Sequence, residues 1–497
     1  MTQKTSLMRV RLLSKWSKVA LAFLVLLGAG VVILYLNSLS PRTTNDSAAT
    51  NGTYKPLQSF GAAYTVTRTY TSRSNVVINN LWKHTQKIVG GLGFACALSN
   101  GKVYCWGLND SGQLGDNSTT NRSSPTPVYV GTSGSPGALY GRYVTDIAAG
   151  GGHVCVIADG GVFCWGYNGS GRLGDGTQTT RLAPVVVPSL APSQAYNATR
   201  ITAGGYHTCA IAQATAYCWG RNGEGQLGNG SSSNANSPFN PNQGQPASDA
   251  YYSATPVTVT DSTYLATEIS AGSNHTCAVI DSRAYCWGGT SNTASGGRLG
   301  NGVSGNGTNS IYRQVVRANS GDALYQKLVT SVSAGASQSC AIAEGKAYCW
   351  GYNAVGEVGD GTTTTRSVPV AVSTSGSSAL PSTAVVTSIA MGIFTGGPSE
   401  YTTCAVATGK AYCWGKNNQG QLGNGTNTDS AFPVAVSAGG VFSGKNVTSV
   451  MPGSPFTCSI ANGRAYCWGD NSYGQLGNGT TTDTNIPYRV NDSYYTE

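Results

Sequence analysis

Cys96-Ala-Leu-Ser-Asn-Gly-Lys-Val-Tyr-Cys105-Trp-Gly107 recurs in outline seven times between residues 96 and 469, always as Cys, eight residues, then Cys-Trp-Gly. The pairs are Cys96 with Cys105, Cys155 with Cys164, Cys209 with Cys218, Cys277 with Cys286, Cys340 with Cys349, Cys404 with Cys413 and Cys458 with Cys467, and they use all 14 cysteines. A unit that returns at this period with its own cysteine pair is one supersecondary element copied round a repeat architecture.

Asn100-Gly101 falls at the midpoint of the first unit as a two-residue turn that reverses a hairpin. The other midpoints are Asp159-Gly160, Gln213-Ala214, Asp281-Ser282, Glu344-Gly345, Thr408-Gly409 and Asn462-Gly463, and five of the seven place Gly second, where a left-handed backbone is needed. Counting outward from the turn sets Cys96 directly across the ladder from Cys105. Pair types alternate along an antiparallel ladder, so the cysteines are predicted to occupy a non-hydrogen-bonded pair, with Cα atoms roughly 4.5 Å apart, within disulfide reach. Seven local disulfides follow, one per hairpin.

Each hairpin is preceded by a strand-like run such as Val144-Thr-Asp-Ile-Ala-Ala-Gly150 and followed by a Pro-Val-x-Val segment such as Pro127 to Val130. Four short strands per unit and seven units predict an all-β fold, a seven-bladed β-propeller with four-stranded blades. A solenoid would need capping units, and none is visible at either end. The chain's last strand signal, Pro487 to Val490, is of the downstream type, whereas the repeat region opens on an upstream one, Ile88-Val-Gly-Gly. The final strands are therefore expected to complete a blade with the first ones.

Outside the repeats, residues 19–36 carry no charge, and Lys4, Arg9, Arg11, Lys15 and Lys18 precede them without an acid. That pattern predicts a transmembrane helix with its N-terminus in the cytoplasm; a cleaved signal peptide is the alternative. The expected domains are a basic cytoplasmic tail (1–18), a signal-anchor (19–36), a polar stalk (37–75) and the propeller (76–497). Paired cysteines persist in oxidising compartments, so both lines of reasoning put the propeller outside the cytoplasm, at the cell surface. Net charge is +9, but removing the five N-terminal basic residues from the 30 leaves 25 against 21 acids. That surplus of four is too weak to indicate a nucleic-acid partner.

The run Cys-Trp-Gly-x-Asn-x-x-Gly-Gln-Leu-Gly-Asn/Asp-Gly-Thr, followed by Pro-Val-x-Val, resembles the repeat of the regulator of chromosome condensation family, which includes alpha-tubulin suppressor-like proteins. The resemblance covers roughly residues 85 to 493, implies a seven-bladed propeller, and implies that the ring serves as a protein-binding platform. Nuclear guanine-nucleotide exchange, the activity of the founding member, is not expected of an external, disulfide-rich chain.

His153, His207 and His275 stand at equivalent places in three successive units, where other units have Phe94, Gln338, Thr402 and Phe456. Three imidazoles could form a metal set, but a structural hydrogen bond is the expected role, and no metal or other cofactor is predicted. The loops Asp175-Gly-Thr, Asp360-Gly-Thr, Asn424-Gly-Thr and Asn478-Gly-Thr supply too few carboxylates for calcium and read as turn chemistry. No catalytic constellation stands out. Departures from the repeat cluster at Ser231 to Tyr252, Gly289 to Gly297, Gly302 to Ser310, Gly131 to Tyr140 and Phe394 to Pro398. Loops on a rigid scaffold carry recognition and aromatics dominate interface energies, so Tyr140, Phe239, Tyr251, Tyr252 and Phe394 are the candidate contact residues. The leading function is a membrane-anchored external module that recognises a protein or glycan through one loop face. A carbohydrate-active or other hydrolytic enzyme and a self-assembling surface structure are the alternatives.

Overall fold

All seven midpoint turns place both of their central residues at positive φ, from Asn100 (50°) and Gly101 (72°) to Asn462 (47°) and Gly463 (72°). This is the mirror-image turn whose twist matches the flanking strands. Gln213-Ala214 (50° and 61°) and Asp281-Ser282 (48° and 60°) are forced into it without glycine. A side chain in the left-handed region costs about 1 kcal/mol, so Ala214→Gly is expected to raise stability by about 0.5–1 kcal/mol, net of the extra freedom of the unfolded glycine. Thermal unfolding of the variant beside the parent checks this, and an unchanged or lower midpoint contradicts it.

The computed structural model describes residues 22–27, 30–35 and 84–494, the last span without 193–196, 231–251, 260–264, 290–295, 303–312, 315–320, 378, 394–400 and 437–440. The chain divides into two compact units, Met1–Asn79 and Asn80–Glu497. The larger holds seven antiparallel four-stranded sheets, each built from consecutive strands in sequence order. The first blade uses Thr85–Gly90, Phe94–Ser99, Lys102–Gly107 and Arg122–Pro127, and the seventh Val447–Pro452, Phe456–Ala461, Arg464–Gly469 and Thr484–Arg489. The fold class expected from the repeats is therefore present.

Three features differ from the expectation. The last strand, Thr484–Arg489, pairs within its own blade, Tyr466 opposite Arg489 and Cys467 opposite Tyr488, and among the described residues no strand is exchanged between first and last repeats. The reason is numerical: the chain enters at an inner strand and ends on an outer one, so the units are whole. The ring closes instead through backbone contacts, with Thr85 N–H donating to the Gly463 carbonyl (2.8 Å), Gly93 N–H to Ser454 (3.0 Å) and Ser454 N–H to Gly91 (3.2 Å). The first outer strand also ends at Pro127 rather than beginning there. Tyr129 N–H bonds to the Gly115 carbonyl at 2.8 Å, which draws the chain off the ladder.

The third difference concerns residues 19–36. In the unit Met1–Asn79 the described residues form two antiparallel strands, Ala22–Leu27 and Gly30–Tyr35, with Ala22 opposite Tyr35, rather than one helix. Val25 and the run Val31-Val32-Ile33 favour extended backbone, and Gly28 and Gly30 disfavour a helix interior. Among the described residues no helix is long and apolar enough to cross a membrane. The expected stalk, 37–75, lies outside the described residues.

The seven predicted disulfides are formed: Cys96 with Cys105, Cys155 with Cys164, Cys209 with Cys218, Cys277 with Cys286, Cys340 with Cys349, Cys404 with Cys413, and Cys458 with Cys467. In every hairpin the two residues are directly opposed across the ladder, as counting from the turn requires. Their Cα atoms are 4.1 Å apart, the close spacing of a non-hydrogen-bonded pair. All 14 cysteines are fully buried. Pro125, Pro184, Pro369, Pro433 and Pro487 occupy outer strands at the register shift, where they have no ladder partner.

Candidate functional site

The blades define two faces. On the turn face lie the hairpin turns and the start of each inner strand; on the loop face lie the connections from inner to second strand and from third to outer strand. The central cavity, about 610 Å³, is lined by inner strands. Its charged groups Lys87, Asp146, Arg200 and Glu268 pair off, Lys87 to Asp146 at 2.6 Å and Arg200 to Glu268 at 3.4 Å. Asp146 also accepts from the backbone N–H of Ile147 and Ile201. Asp146 thus caps amides of two neighbouring inner strands, and both carboxylates are held in ion pairs.

The loop face is assembled by a circular interlock. Each Trp of Cys-Trp-Gly is fully buried and donates its indole N–H across a blade boundary to the carbonyl of the variable residue in the preceding blade's Gly-x-Leu/Val-Gly loop. Trp165 reaches Gln113 at 3.0 Å, Trp219 reaches Arg172 at 2.9 Å, Trp287 Gln226, Trp350 Arg298, Trp414 Glu357, Trp468 Gln421, and Trp106 closes the circle on Gln475. The last glycine of that loop makes the contact possible. A Cβ on Gly115 would lie 2.5 Å from the Trp165 indole nitrogen, and its φ is +66°.

The three equivalent histidines extend this interlock. His153, His207 and His275 are fully buried, and their Nε2 atoms lie 2.8 Å from the hydroxyls of Thr208, Thr276 and Ser339 in the next blade. Those hydroxyls donate to the carbonyls of Arg172, Gln226 and Arg298, which already receive the tryptophan N–H. Each Nε2 is therefore the donor. Burial lowers the imidazole pKa, to about 3 for His207, with Arg172 adding to it, so these rings are neutral. The structural hydrogen bond expected from the sequence is the arrangement present. Among the described residues no cluster of three His, Cys, Asp or Glu groups could hold a metal ion. In the Asp-Gly-Thr loops, burial pushes the Asp175 carboxyl up, but hydrogen bonds from Thr177 and Arg181 outweigh it and hold it below its ordinary range. That carboxylate serves the turn.

Beyond the interlock, blades 2 and 3 carry a ladder of planar groups on the loop face. The Arg172 guanidinium lies 4.7 Å from the Tyr167 ring centre and 5.4 Å from that of Tyr206, and Arg221 lies 5.2 Å from the same Tyr206 ring. Tyr167 is exposed while Arg172 is buried and donates to the Gly205 carbonyl at 3.0 Å. The sequence did not single out these four residues. Their signal was available: Tyr167 and Arg221 occupy the variable place after Cys-Trp-Gly, and Arg172 replaces the usual Gln. Of the residues it did single out, Tyr140 is exposed, on the turn face, whereas Tyr252 is buried in an outer strand and bonded to Gln178. Tyr252 is thus a packing residue, because the third blade's outer strand begins on it. Phe239, Tyr251 and Phe394 lie outside the described residues. The segments that hold them leave and rejoin the blades at the loop face, between third and outer or inner and second strands.

Glu357 replaces Gln in the fifth interlock loop and is fully buried. One oxygen accepts from Val355 N–H at 2.9 Å; the other has no partner among the described residues. Burial, aided by Asp429, raises its pKa from 4.5 to about 7. The folded chain then keeps a proton that the unfolded chain has lost, so stability falls as pH rises from about 4.5 to 7 and stays lower above. Glu357→Gln is expected to stabilise the fold by about 2–3 kcal/mol at pH 8 and by almost nothing below about pH 5. Denaturant unfolding at the two pH values tests this; an equal effect at both would refute a buried titrating carboxyl.

A disulfide-clamped ring of seven four-stranded blades, with an aromatic-cationic cluster at one face, defines the class as a seven-bladed β-propeller built from repeats. The chain belongs to the Regulator of chromosome condensation (RCC1) repeat family, whose model matches residues 100–157, 159–211, 214–279, 344–393, 408–460 and 462–494, more than half of the chain; a second model of that repeat matches 86–113 and 144–172. The chain is 26% identical over 408 residues to the ultraviolet-B receptor UVR8 of Arabidopsis thaliana, covering 80% of each. It is 27% identical over 394 residues to the human E3 ubiquitin-protein ligase HERC2, covering 79% of this chain and 7% of that one. Among solved structures it is similar to human WBSCR16, with a TM-score of 0.59 and 19% identity over 77% of this chain and 88% of that one. It is also similar to Prp20p of Saccharomyces cerevisiae, described with its binding to Gsp1p and histones, with a TM-score of 0.57 and 18% identity over 84% and 89%.

Proposed function

We propose that this chain is an exported, membrane-held binding module whose loop face engages a protein partner and which performs no chemistry itself. The observation that carries the reading is the Tyr167–Arg172–Tyr206–Arg221 ladder, because Tyr and Arg in partly desolvated, well-packed settings supply most of the energy at protein interfaces. The variable insertions rooted at the same face add to it. Protein binding by Prp20p, a propeller of the same fold, favours a protein over a glycan, without naming which protein. Buried disulfides in every blade favour an oxidising compartment. The uncharged stretch 19–36 behind five basic residues favours attachment to the membrane with the propeller on the far side.

The test is a pull-down with detergent-solubilised full chain as bait, run as parent, as the double variant Tyr206→Ala with Arg221→Ala, and as a turn-face control, Lys410→Glu. Proteins retained by parent and control are expected to fall at least about tenfold on the ladder variant. Retention of the same proteins by all three baits, or of none by any, counts against the loop face.

A further inference from the structure

We infer that the turn face is a docking surface for an anionic phospholipid bilayer, so that the propeller lies turn face down with its loop face outward; this rests on the membrane-held reading above. Thr85, the first residue of the first blade, bonds to the hairpin turn of the seventh at Gly463, so whatever precedes residue 84 joins the propeller on the turn face. On the membrane-held reading, the chain coming from the bilayer thus reaches the propeller at this face. The surface suits that position. The first residue after the hairpin turn is Lys102, Arg283, Lys346, Lys410 or Arg464 in five of seven blades, and the first four are exposed.

Among the described residues no salt bridge engages Lys102, Arg283, Lys346 or Lys410, and Lys346 donates only to the carbonyls of Ser382 and Ala384. By contrast, the acids Asp159, Glu344 and Asp492 of this face are already paired with Arg142, Lys327 and Arg489. Among the described residues the other acids of the face, Asp281 and Asp322, are outnumbered by the basic set. Between these cations stand large apolar side chains, each on the residue before an inner strand. Leu265 is 62% exposed, Leu328 65%, Val385 57% and Tyr143 54%. Val385 and Tyr143 lie over the turn glycines Gly345 and Gly101, beside Lys346 and Lys102. Tyr140 belongs to the same face. Cations interleaved with exposed Leu, Val and Tyr on one face are what an anionic headgroup layer binds, by charge and by shallow insertion. A folded partner of equal charge would not require the chain to enter on that side.

Lysine acylation read by mass spectrometry tests this on the full chain, in nanodiscs of phosphatidylcholine alone or with about 30% phosphatidylglycerol, against the chain in detergent. Labelling of Lys102, Lys346 and Lys410 is expected to fall about fivefold in the anionic discs only, and to recover at about 0.5 M salt, while Lys416 on the loop face is unchanged. Equal labelling of both faces in anionic discs overturns the inference while leaving the attachment intact. If the chain fails to stay with the discs, the attachment reading has failed. Flotation of the same chain with anionic vesicles then decides: flotation abolished by the triple variant Lys102→Glu, Arg283→Glu, Lys410→Glu upholds the surface, and no flotation overturns it.

Discussion

Trp165→Ala is expected to destabilise the propeller by about 3–5 kcal/mol, because it empties a fully buried place at a blade boundary and removes an indole donor at once. Trp165 is fully buried and its N–H bonds to the Gln113 carbonyl of the preceding blade. Substitution by Phe separates the two losses. Phe keeps most of the volume but leaves Gln113 without its donor, and the next-blade residue at the hydroxyl position is Val154, which offers none. For blade 3 the equivalent carbonyl, that of Arg172 in blade 2, accepts from Thr208 at 2.8 Å as well as from Trp219. Trp165→Phe should therefore cost about 1 kcal/mol more than Trp219→Phe, the penalty of one orphaned buried carbonyl. Parallel denaturant titrations measure the difference; equal costs would mean that the indole bonds contribute shape alone.

The same comparison explains what the sequence could disclose. Hairpin register, disulfide partners and blade count depend on contacts within about ten residues, and Asn100-Gly101 between Cys96 and Cys105 fixes them without reference to the rest of the chain. The interlock joins Trp106 to Gln475, 369 residues apart, so no local period reveals it. It left a trace nonetheless. Phe94 and Phe456 precede blades whose next-in-ring position is Val154 or Ala95, whereas His153, His207 and His275 precede Thr208, Thr276 and Ser339. Polar meets hydroxyl and aromatic meets apolar across each of these boundaries. The rule is visible once units are compared as neighbours in a circle, and it accounts for the histidines without a metal. The contact residues were harder. Tyr252 reads as an insertion aromatic but starts a strand, while the Tyr167 to Arg221 ladder comes from two blades and only folding brings it together.

Complete reduction of the disulfides is the perturbation expected to have the largest effect. Each closes a loop of separation 9, for which the chain-entropy model gives about 2.5–3 kcal/mol. Seven together approach 20 kcal/mol, above the roughly 5–15 kcal/mol that usually separates folded from unfolded domains. Hairpin structure surviving in the reduced chain lowers this contribution; at half value it still equals about the whole margin. A reduced and alkylated chain should then fail to refold, read as lost near-ultraviolet dichroism and rapid proteolysis. Removing a single pair, Cys96→Ala with Cys105→Ala, should cost only about 2–3 kcal/mol and leave a cooperative transition. Because every cysteine is fully buried, reductant without denaturant should leave the folded protein intact, so the effect appears only when the ring is opened first. A reduced chain that regains its transition within a few degrees of the parent would show that the tryptophan interlock holds the ring alone. In that case the oxidising compartment would be a convenience for this fold rather than a condition of it.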